Sequence, residues 1–586
     1  MYKIVLPKNE DKRIDVAKAE LSKFILEATG IKLETVFETE VSFSLDAEYI
    51  VLGRCLDIQA QAGLDIDYLG LGINGFYLKT VGKTLFIAGG QQYGTLNGVY
   101  EYLRRAYGYE IYAIDEYKLN KSKDLIIPNL DDVIIPEVPQ VMAGEGSVRD
   151  NVEYGLRMGF EPWKEIWVHV DGTEFCHNLY RFVRPEIYND PALKETYHPE
   201  WFCKNGLCLS EPQVFDIILE GVKQELIKNP DLSNISVTQM DHATWCQCDR
   251  CKADYEKYGT NAGNMVKFMN KLSRAITPWL KEKFPDRIVN FAFFAYQDVT
   301  RTPPVKRNDI TGKWEAIDND VICEDNLTVW LCLDNAVVQD SYYAPSNQNL
   351  VDIAEGWKVV CKKTMLWTYE TNYMDYLVPM NVFSGLQDQW RYFKEYNAQV
   401  VFPLGQYDNG NNIQFLALKL FLQSKLRWNV EADVDKLTDE FFANYFGEAE
   451  KPMREFYDNL MLHFKWQENV LRYKAFIYHF ASPVYWPMSV LMGFMNSIEN
   501  AYDSIEPLKE SNPERYAVLK KRITLEAVFV KYLMIKIYPS HFTDKKLKDF
   551  RYELKGDCTE LNVNRWKEQI NINRLYKDWY LPDWDK

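Results

Sequence analysis

The chain has 586 residues, 47% hydrophobic and 26% charged, a composition of soluble globular protein and a length for three or four domains. A net charge of −16 argues against nucleic acid, whose phosphates need a basic footprint, and against anionic membrane surfaces. No apolar run approaches the ~18 residues of a membrane span, and eleven cysteines, an odd number over a long chain, do not read as a secreted disulfide scaffold.

Residues 1–130 read as a small α/β domain. Tyr2–Leu6 predicts a strand, and Asp15–Thr29 a helix with Val16, Leu21, Phe24, Ile25 and Ala28 at helical spacing, stopped by Gly30. Met1-Tyr-Lys-Ile-Val-Leu-Pro7 enters that strand without a signal-peptide pattern, so a cytoplasmic location is the default expectation. Strands are predicted over Tyr49–Leu52, Phe76–Thr80 and Thr84–Ala88, with Val81-Gly-Lys83 as a tight connection. Gly89-Gly-Gln-Gln-Tyr-Gly94 then leads into a helix over Thr95–Tyr107. It lacks the Lys-Ser/Thr of a phosphate loop and reads as a packing turn. Gly108–Asp115 is a last strand, and Asp131–Pro139, acidic and proline-bearing, a linker.

Leu85-Phe-Ile-Ala-Gly-Gly90, Tyr93-Gly94, Asn97-Gly-Val-Tyr-Glu-Tyr-Leu103 and Gly108-Tyr109 resemble the α/β domain that precedes the barrel in family 20 hexosaminidases. Alpha-glucuronidases and related bacterial glycosidases carry a similar domain. The resemblance implies a domain that packs on a barrel and supplies no catalytic group.

Residues 131–430 carry seven buried runs: Val138–Ala143, Ile166–Val170, Ile235–Met240, Ile288–Ala295, Leu327–Leu333, Met365–Tyr369 and Val400–Leu404. Helical stretches such as Glu211–Ile227 and Gly263–Phe284 separate them, which predicts a (β/α)8-like (TIM) barrel in an α/β chain. No eighth strand stands out. Beyond Asn429 the strand signals vanish. Val434–Phe446, Tyr457–Gln467, Pro487–Ile505 and Pro513–Ile537 have helical spacing, so residues 431–586 read as a C-terminal α-helical domain.

Strand ends carry acids: Asp241, Asp334, Glu370 and Asp408, with Glu145 after the first run. Glycosidic hydrolysis needs an acid for the leaving oxygen and a second group for the oxocarbenium-like centre, and a barrel presents both at strand ends. Any one such acid can equally cap a helix. Aromatic residues make up 15% of the chain, and flat rings stack on sugar faces. Trp163, Trp245, Tyr296, Trp367 and Tyr407 are stacking candidates. His177, Tyr180, His242, Asn372 and Gln406 are candidate hydroxyl ligands, and Arg149 a cation for a uronate.

His177-Asn-Leu-Tyr-Arg181, Ser236-Val-Thr-Gln-Met-Asp241, Cys246-Gln-Cys-Asp-Arg-Cys251 and Trp367-Thr-Tyr-Glu-Thr-Asn-Tyr373 resemble a bacterial domain known as one of unknown function. That group includes glycoside hydrolase family 163, whose activity is endo-β-N-acetylglucosaminidase on N-glycans. The resemblance implies a β-N-acetylhexosaminide substrate, no cofactor, and Asp241 as the acid ending the family's strand that begins here at Ser236. The chain departs from the expected Phe-Glu-Gln-Gly-type turn, reading Phe402-Pro-Leu-Gly-Gln-Tyr407. Leu404 cannot do acid–base work, so Glu370 is expected to be the general acid/base, with Asp241 orienting an acetamido group or stabilising anomeric charge. The alternatives are a glucuronidase-like or other glycosidase, and a non-catalytic glycan-binding protein on a decayed barrel.

Cys246, Cys248 and Cys251 admit three readings. They are reduced thiols packed as small hydrophobes, a disulfide with Cys208, or, with Cys208, a four-thiolate zinc site; packed thiols lead, because a second Cys-x₂₋₄-Cys pair is missing.

Overall fold

A computed structural model of the protein describes residues 2–9, 11–408, 410–411, 413–475 and 478–579, with the side chains of 203–205 left undescribed. The N-terminal sheet contains β1 (Lys3–Leu6), β2 (Glu34–Phe37), β3 (Tyr49–Leu52), β4 (Phe76–Val81), β5 (Thr84–Gly89) and β6 (Asp131–Ile134), in the order β2-β1-β3-β5-β4-β6. β1, β2, β3 and β5 run parallel, while β4 lies antiparallel to β5 and β6. Helix α1 (Lys12–Thr29) turns Leu21, Phe24 and Ile25 into the core; Asp11 caps its start, and Gly30 ends it at φ 75. Helix α2 (Gly94–Tyr107) adds Leu96, Val99 and Leu103. Asp131–Ile134 is therefore an edge strand rather than a linker, and Glu110–Ala113 pairs in a separate hairpin with Glu116–Lys118.

The second sheet is wholly parallel. It comprises β7 (Asn234–Ser236), β8 (Asn290–Ala295), β9 (Leu327–Cys332), β10 (Thr364–Tyr369) and β11 (Val400–Leu404), in the order β11-β10-β9-β8-β7. Period-two geometry sorts every strand between two cores. Phe294, Trp330, Trp367 and Phe402 fill the concave side, and Phe293, Leu331, Leu366 and Val401 face the helices. The concave side is a stack of rings: Trp330 lies 5.0 Å from Trp167 and 5.1 Å from Trp367, which lies 4.6 Å from Phe402.

Five strands form about half a barrel. The first two predicted strands, around Val141 and Trp167, meet it only by single parallel bridges, Val141 to Val401 and Trp167 to Asn234. No ladder among the described residues closes the ring. A buried ion pair takes the ladder's place at this seam: Arg427 Nη2 lies 3.1 Å from Glu161 Oε1, which also accepts from Asn74 Nδ2 at 2.6 Å, while Gln140 Nε2 donates to Oε2 at 2.6 Å. β7 stops at Ser236 because the 175–178 loop engages the next residues, with His177 N donating to Thr238 Oγ1 and Asn178 Nδ2 to Ser236 O.

C-terminal helices follow, α3 (Val434–Tyr445), α4 (Glu450–Leu471), α5 (Met488–Ile505), α6 (Pro513–Ile537) and α7 (Asp544–Glu560), and α6 reaches the loop after β10, where Tyr532 Oη donates to Asp375 Oδ2 at 2.6 Å. Glu526 on α6 is buried and accepts from Phe415 N at 2.9 Å. Burial pushes its carboxyl up to about 8, against backbone donation from Phe415 and Gln414. Between the unfolded value of about 4.3 and the folded value, the native chain keeps a proton the unfolded chain has released, so this group lowers stability as pH rises through that window. Calorimetry of wild type and Glu526→Gln from pH 4.5 to 8 should show the variant gaining Tm relative to wild type with rising pH. A constant difference would place Glu526 outside the titration.

After α7 the chain makes a hairpin, Arg565–Lys567 with Ile570–Asn571, where helix alone was expected.

Candidate active site

The carboxyl ends of β7 to β11 open on one side of the sheet. Asp241, five residues beyond β7, is exposed and accepts from Tyr296 Oη at 2.9 Å and Gln297 Nε2 at 3.3 Å. Tyr296 follows β8 directly, so the strand end itself delivers the phenol. His177 completes this wall: its Nδ1 lies 2.8 Å from Gln239 O, and its ring 5.7 Å from Tyr296. Burial lowers the His177 pKa, which keeps the imidazole neutral near pH 7 and able to hydrogen-bond. Both His177 and Gln297 have φ near 50, an uncommon backbone for residues with side chains.

The opposite wall comes from β11 and the C-terminal hairpin. Tyr407 Oη donates to Glu568 Oε1 at 3.0 Å, and Gln569 Nε2 donates to Tyr407 Oη at 3.1 Å. Asp408 Oδ2 accepts from Gln569 N at 2.8 Å and from Tyr376 Oη at 3.4 Å. Loss of water around the Glu568 carboxylate raises its pKa; the Tyr407 hydrogen bond opposes this, and the charges of Asp408 and Asp241 add to it. Although residue 568 is exposed as a whole, its carboxyl group lies in this ring of acids and phenols. The charge of Asp241 thus reaches Glu568, and the phenols that hold the two acids, Tyr296 and Tyr407, pack on the same aromatic cluster.

Glu370 is elsewhere. Trp367 and Tyr369 point to the concave side, so Thr368 and Glu370 take the helix side. There Glu370 Oε1 accepts from Thr368 Oγ1 at 3.0 Å and Oε2 from Gln423 Nε2 at 2.7 Å. Lys419 Nζ sits 3.4 Å from Glu370 Oε2 and 2.6 Å from Glu145 Oε1. Burial pushes Lys419 down, but the two carboxylates outweigh it and hold the ammonium charged. The expected convergence of Asp241 and Glu370 in one pocket is therefore corrected: Glu370 and Glu145 belong to a buried ion network with Lys419 on the helix Leu416–Leu426.

Other expected ligands divide likewise. Asp334 is half-buried and paired with Arg301 Nη2 at 2.6 Å; burial raises its pKa and Arg301 lowers it. Arg149 donates to Asp150 at 2.9 Å and lies 5.7 Å over the Trp163 ring. Trp163 packs against Phe175 with tilted rings 4.8 Å apart, and Trp367 belongs to the aromatic cluster on which Tyr296 and Tyr407 pack. Tyr180 and His242 are neighbours at 6.2 Å, His242 Nδ1 lying 2.6 Å from Thr244 Oγ1. Gln406 is buried beside Glu145, its carbonyl taking the Gly146 N–H. Two expectations are corrected outright. Trp245 is buried in the main core and offers no stacking face, and Asn372 is spent on Val378 O, His479 O and His479 N.

Sequence reading missed Glu568 and Gln569. The only local trace is alternation around the turn, Arg565-Trp-Lys-Glu-Gln-Ile-Asn571, which marks a hairpin but not its destination.

Residues 120–458, more than half of the chain, match the family model described as a domain of unknown function (DUF4838). Residues 1–102 match the glycosyl hydrolase family 67 N-terminus. This match supports a glycoside hydrolase. No curated protein matches the chain. Among solved structures, a GH138 enzyme targeting pectin rhamnogalacturonan II is 12% identical, with 96% of this chain and 74% of that one covered at a TM-score of 0.43. CpGH84D is 12% identical over 96% and 91%, TM-score 0.45. The GH20 β-N-acetylhexosaminidase of Streptomyces coelicolor A3(2) is 10% identical over 75% and 90%, TM-score 0.40. At such scores the likeness bears on no residue's role. No described helix is long and apolar enough to cross a membrane.

Proposed function

The chain belongs to the DUF4838 family, and from that premise we propose that it hydrolyses a β-linked N-acetylhexosaminide with Asp241 and Glu568 as its working carboxylates. One observation carries the reading: an exposed Asp241 held by Tyr296 and a Glu568 held by Tyr407, whose carboxyl is raised in part by the Asp241 charge, with both phenols packed on one cluster of indole and phenyl rings. Glu568 donates its proton to the leaving glycosidic oxygen as that bond breaks. Asp241, fixed by Tyr296 and Gln297, accepts the N–H of the substrate acetamido group, whose carbonyl oxygen bonds to the anomeric carbon as the leaving oxygen departs and so closes a five-membered ring. The resulting ring is opened by water, whose proton returns to Glu568. A uronate reading finds less support, since Arg149 is engaged by Asp150 and Arg301 by Asp334.

A panel of nitrophenyl β-N-acetylglucosaminide, β-glucoside and α- and β-glucuronides tests this. Release is expected from the acetamido sugar, with Asp241→Asn lowering kcat/KM by about 10²–10³ at unchanged Tm. Turnover of a glucuronide alone, or a wild-type rate in Asp241→Asn, would overturn the proposal.

A further inference from the structure

Four thiols meet on the outer side of the Asp241 loop. Cys208 and Cys251 are buried, as is Cys246, with Cys248 half-buried; the four Sγ atoms all lie within 4.8 Å of one another. Cys208 Sγ is 3.6 Å from Cys248 Sγ and 3.9 Å from Cys251 Sγ. A tetrahedral zinc with bonds of about 2.3 Å sets its sulfurs about 3.8 Å apart. The observed spacings are those of the edges of such a tetrahedron, and the thiols are free.

Backbone construction favours the meeting. A side chain at Gly206 would run into the Trp245 and Cys246 backbone, its Cβ coming 2.5 Å from Trp245 C, so glycine lets the two segments touch. Cys248 caps the helix Asp249–Tyr258, which places Cys251 in the first turn beside it. Cys248 N donates to Cys246 Sγ at 3.5 Å, and Ser210 Oγ lies 3.4 Å from Cys251 Sγ. Thiols packed only as small hydrophobes would need neither the donors nor mutual contact among all four.

We propose that Cys208, Cys246, Cys248 and Cys251 bind one structural zinc ion as a closed four-thiolate site. Sulfur fills all four positions, leaving none for substrate, so the ion is structural rather than catalytic. Its role is to tie the 206–210 segment to the 241–251 loop, five residues from Asp241, in a stretch where β7 has already lost its ladder. The missing second Cys-x-x-Cys pair is no obstacle, since Cys208 arrives from a distant segment to make the fourth ligand.

The full chain, purified without chelator from zinc-supplied cells, is expected to hold about one zinc per chain by elemental analysis. Cys208→Ser and Cys251→Ser should lose it roughly tenfold or more, and Cys176→Ser should keep it. Cobalt added to the zinc-stripped wild type should give a thiolate charge-transfer band and tetrahedral d–d bands, a readout that stands even if the serine variants misfold. Wild type without zinc and without a cobalt spectrum would overturn the proposal. So would full zinc retention in Cys208→Ser and Cys251→Ser, or denatured chains in which these four thiols titrate as disulfides.

Discussion

Lys419→Met is expected to be the most destabilising conservative-volume substitution in the barrel, lowering stability by about 3–5 kcal/mol and Tm by about 5–15 °C. Lys419 is 3% exposed and lies between Glu145 and Glu370, which are 2% and 6% exposed. Methionine fills the space of the stem but removes the positive charge that bridges the two acids. The low-dielectric interior then holds two carboxylates facing each other, and one must take a proton to remain there. That raises its folded pKa above the unfolded value, so the penalty is largest near and above neutral pH and shrinks as pH falls toward about 4. Adding Glu370→Gln should return part of the lost Tm, because the amide keeps the Gln423 contact and discards a charge. A Lys419→Met chain that melts with wild type, or a double variant less stable than the single at pH 8, would show that packing rather than charge holds this site.

That network explains where sequence reading succeeded and where it stopped. The strand runs Leu327–Leu333, Met365–Tyr369 and Val400–Leu404 were legible because fully buried parallel strands are continuous apolar runs. The same continuity hid their parity. In Thr364-Met-Leu-Trp-Thr-Tyr-Glu370, both faces are apolar, so nothing local says that Tyr369 turns to the concave side and Glu370 to the helices. The rule that acids at strand ends serve catalysis placed Glu370 correctly along the strand and wrongly across it. Asp241 escaped this ambiguity because it lies beyond the ladder, where the chain is free to turn outward. The runs at 138–143 and 166–170 look like strands by composition, yet side chains make the joins beside them, Glu161 with Arg427 and Asn234 Nδ2 with Ile166 O. Composition reports burial, and it does not report which partner satisfies the backbone. The zinc-type reading of the cysteines was limited likewise, since the approach of Cys208 depends on a bare backbone at Gly206.

Glu568→Gln should lower kcat by about 10²–10⁴ while leaving Tm within a degree or so, since the side chain sits on an exposed hairpin. Sequence distance hid this residue: Asp241 lies more than three hundred positions earlier, and only the return of the C-terminal segment across Tyr407 and Asp408 brings the two walls together. Its chemistry as an acid makes two signatures that a merely structural role would not share. First, an acid protonates the leaving oxygen, so the defect should be large for alkyl or unactivated aryl glycosides and small for dinitrophenyl glycosides, whose leaving groups depart without a proton. Second, the basic limb of the wild-type rate profile reports loss of the Glu568 proton, and it should vanish in Glu568→Gln. Tyr407→Phe sharpens the sign. The Tyr407 hydrogen bond favours the ionised carboxylate, so its removal raises the Glu568 pKa and moves the basic limb to higher pH, with the maximum rate largely kept. A limb that stays in place in Tyr407→Phe, together with equal defects of Glu568→Gln on activated and unactivated substrates, would remove Glu568 from the reaction and leave it as a hairpin contact.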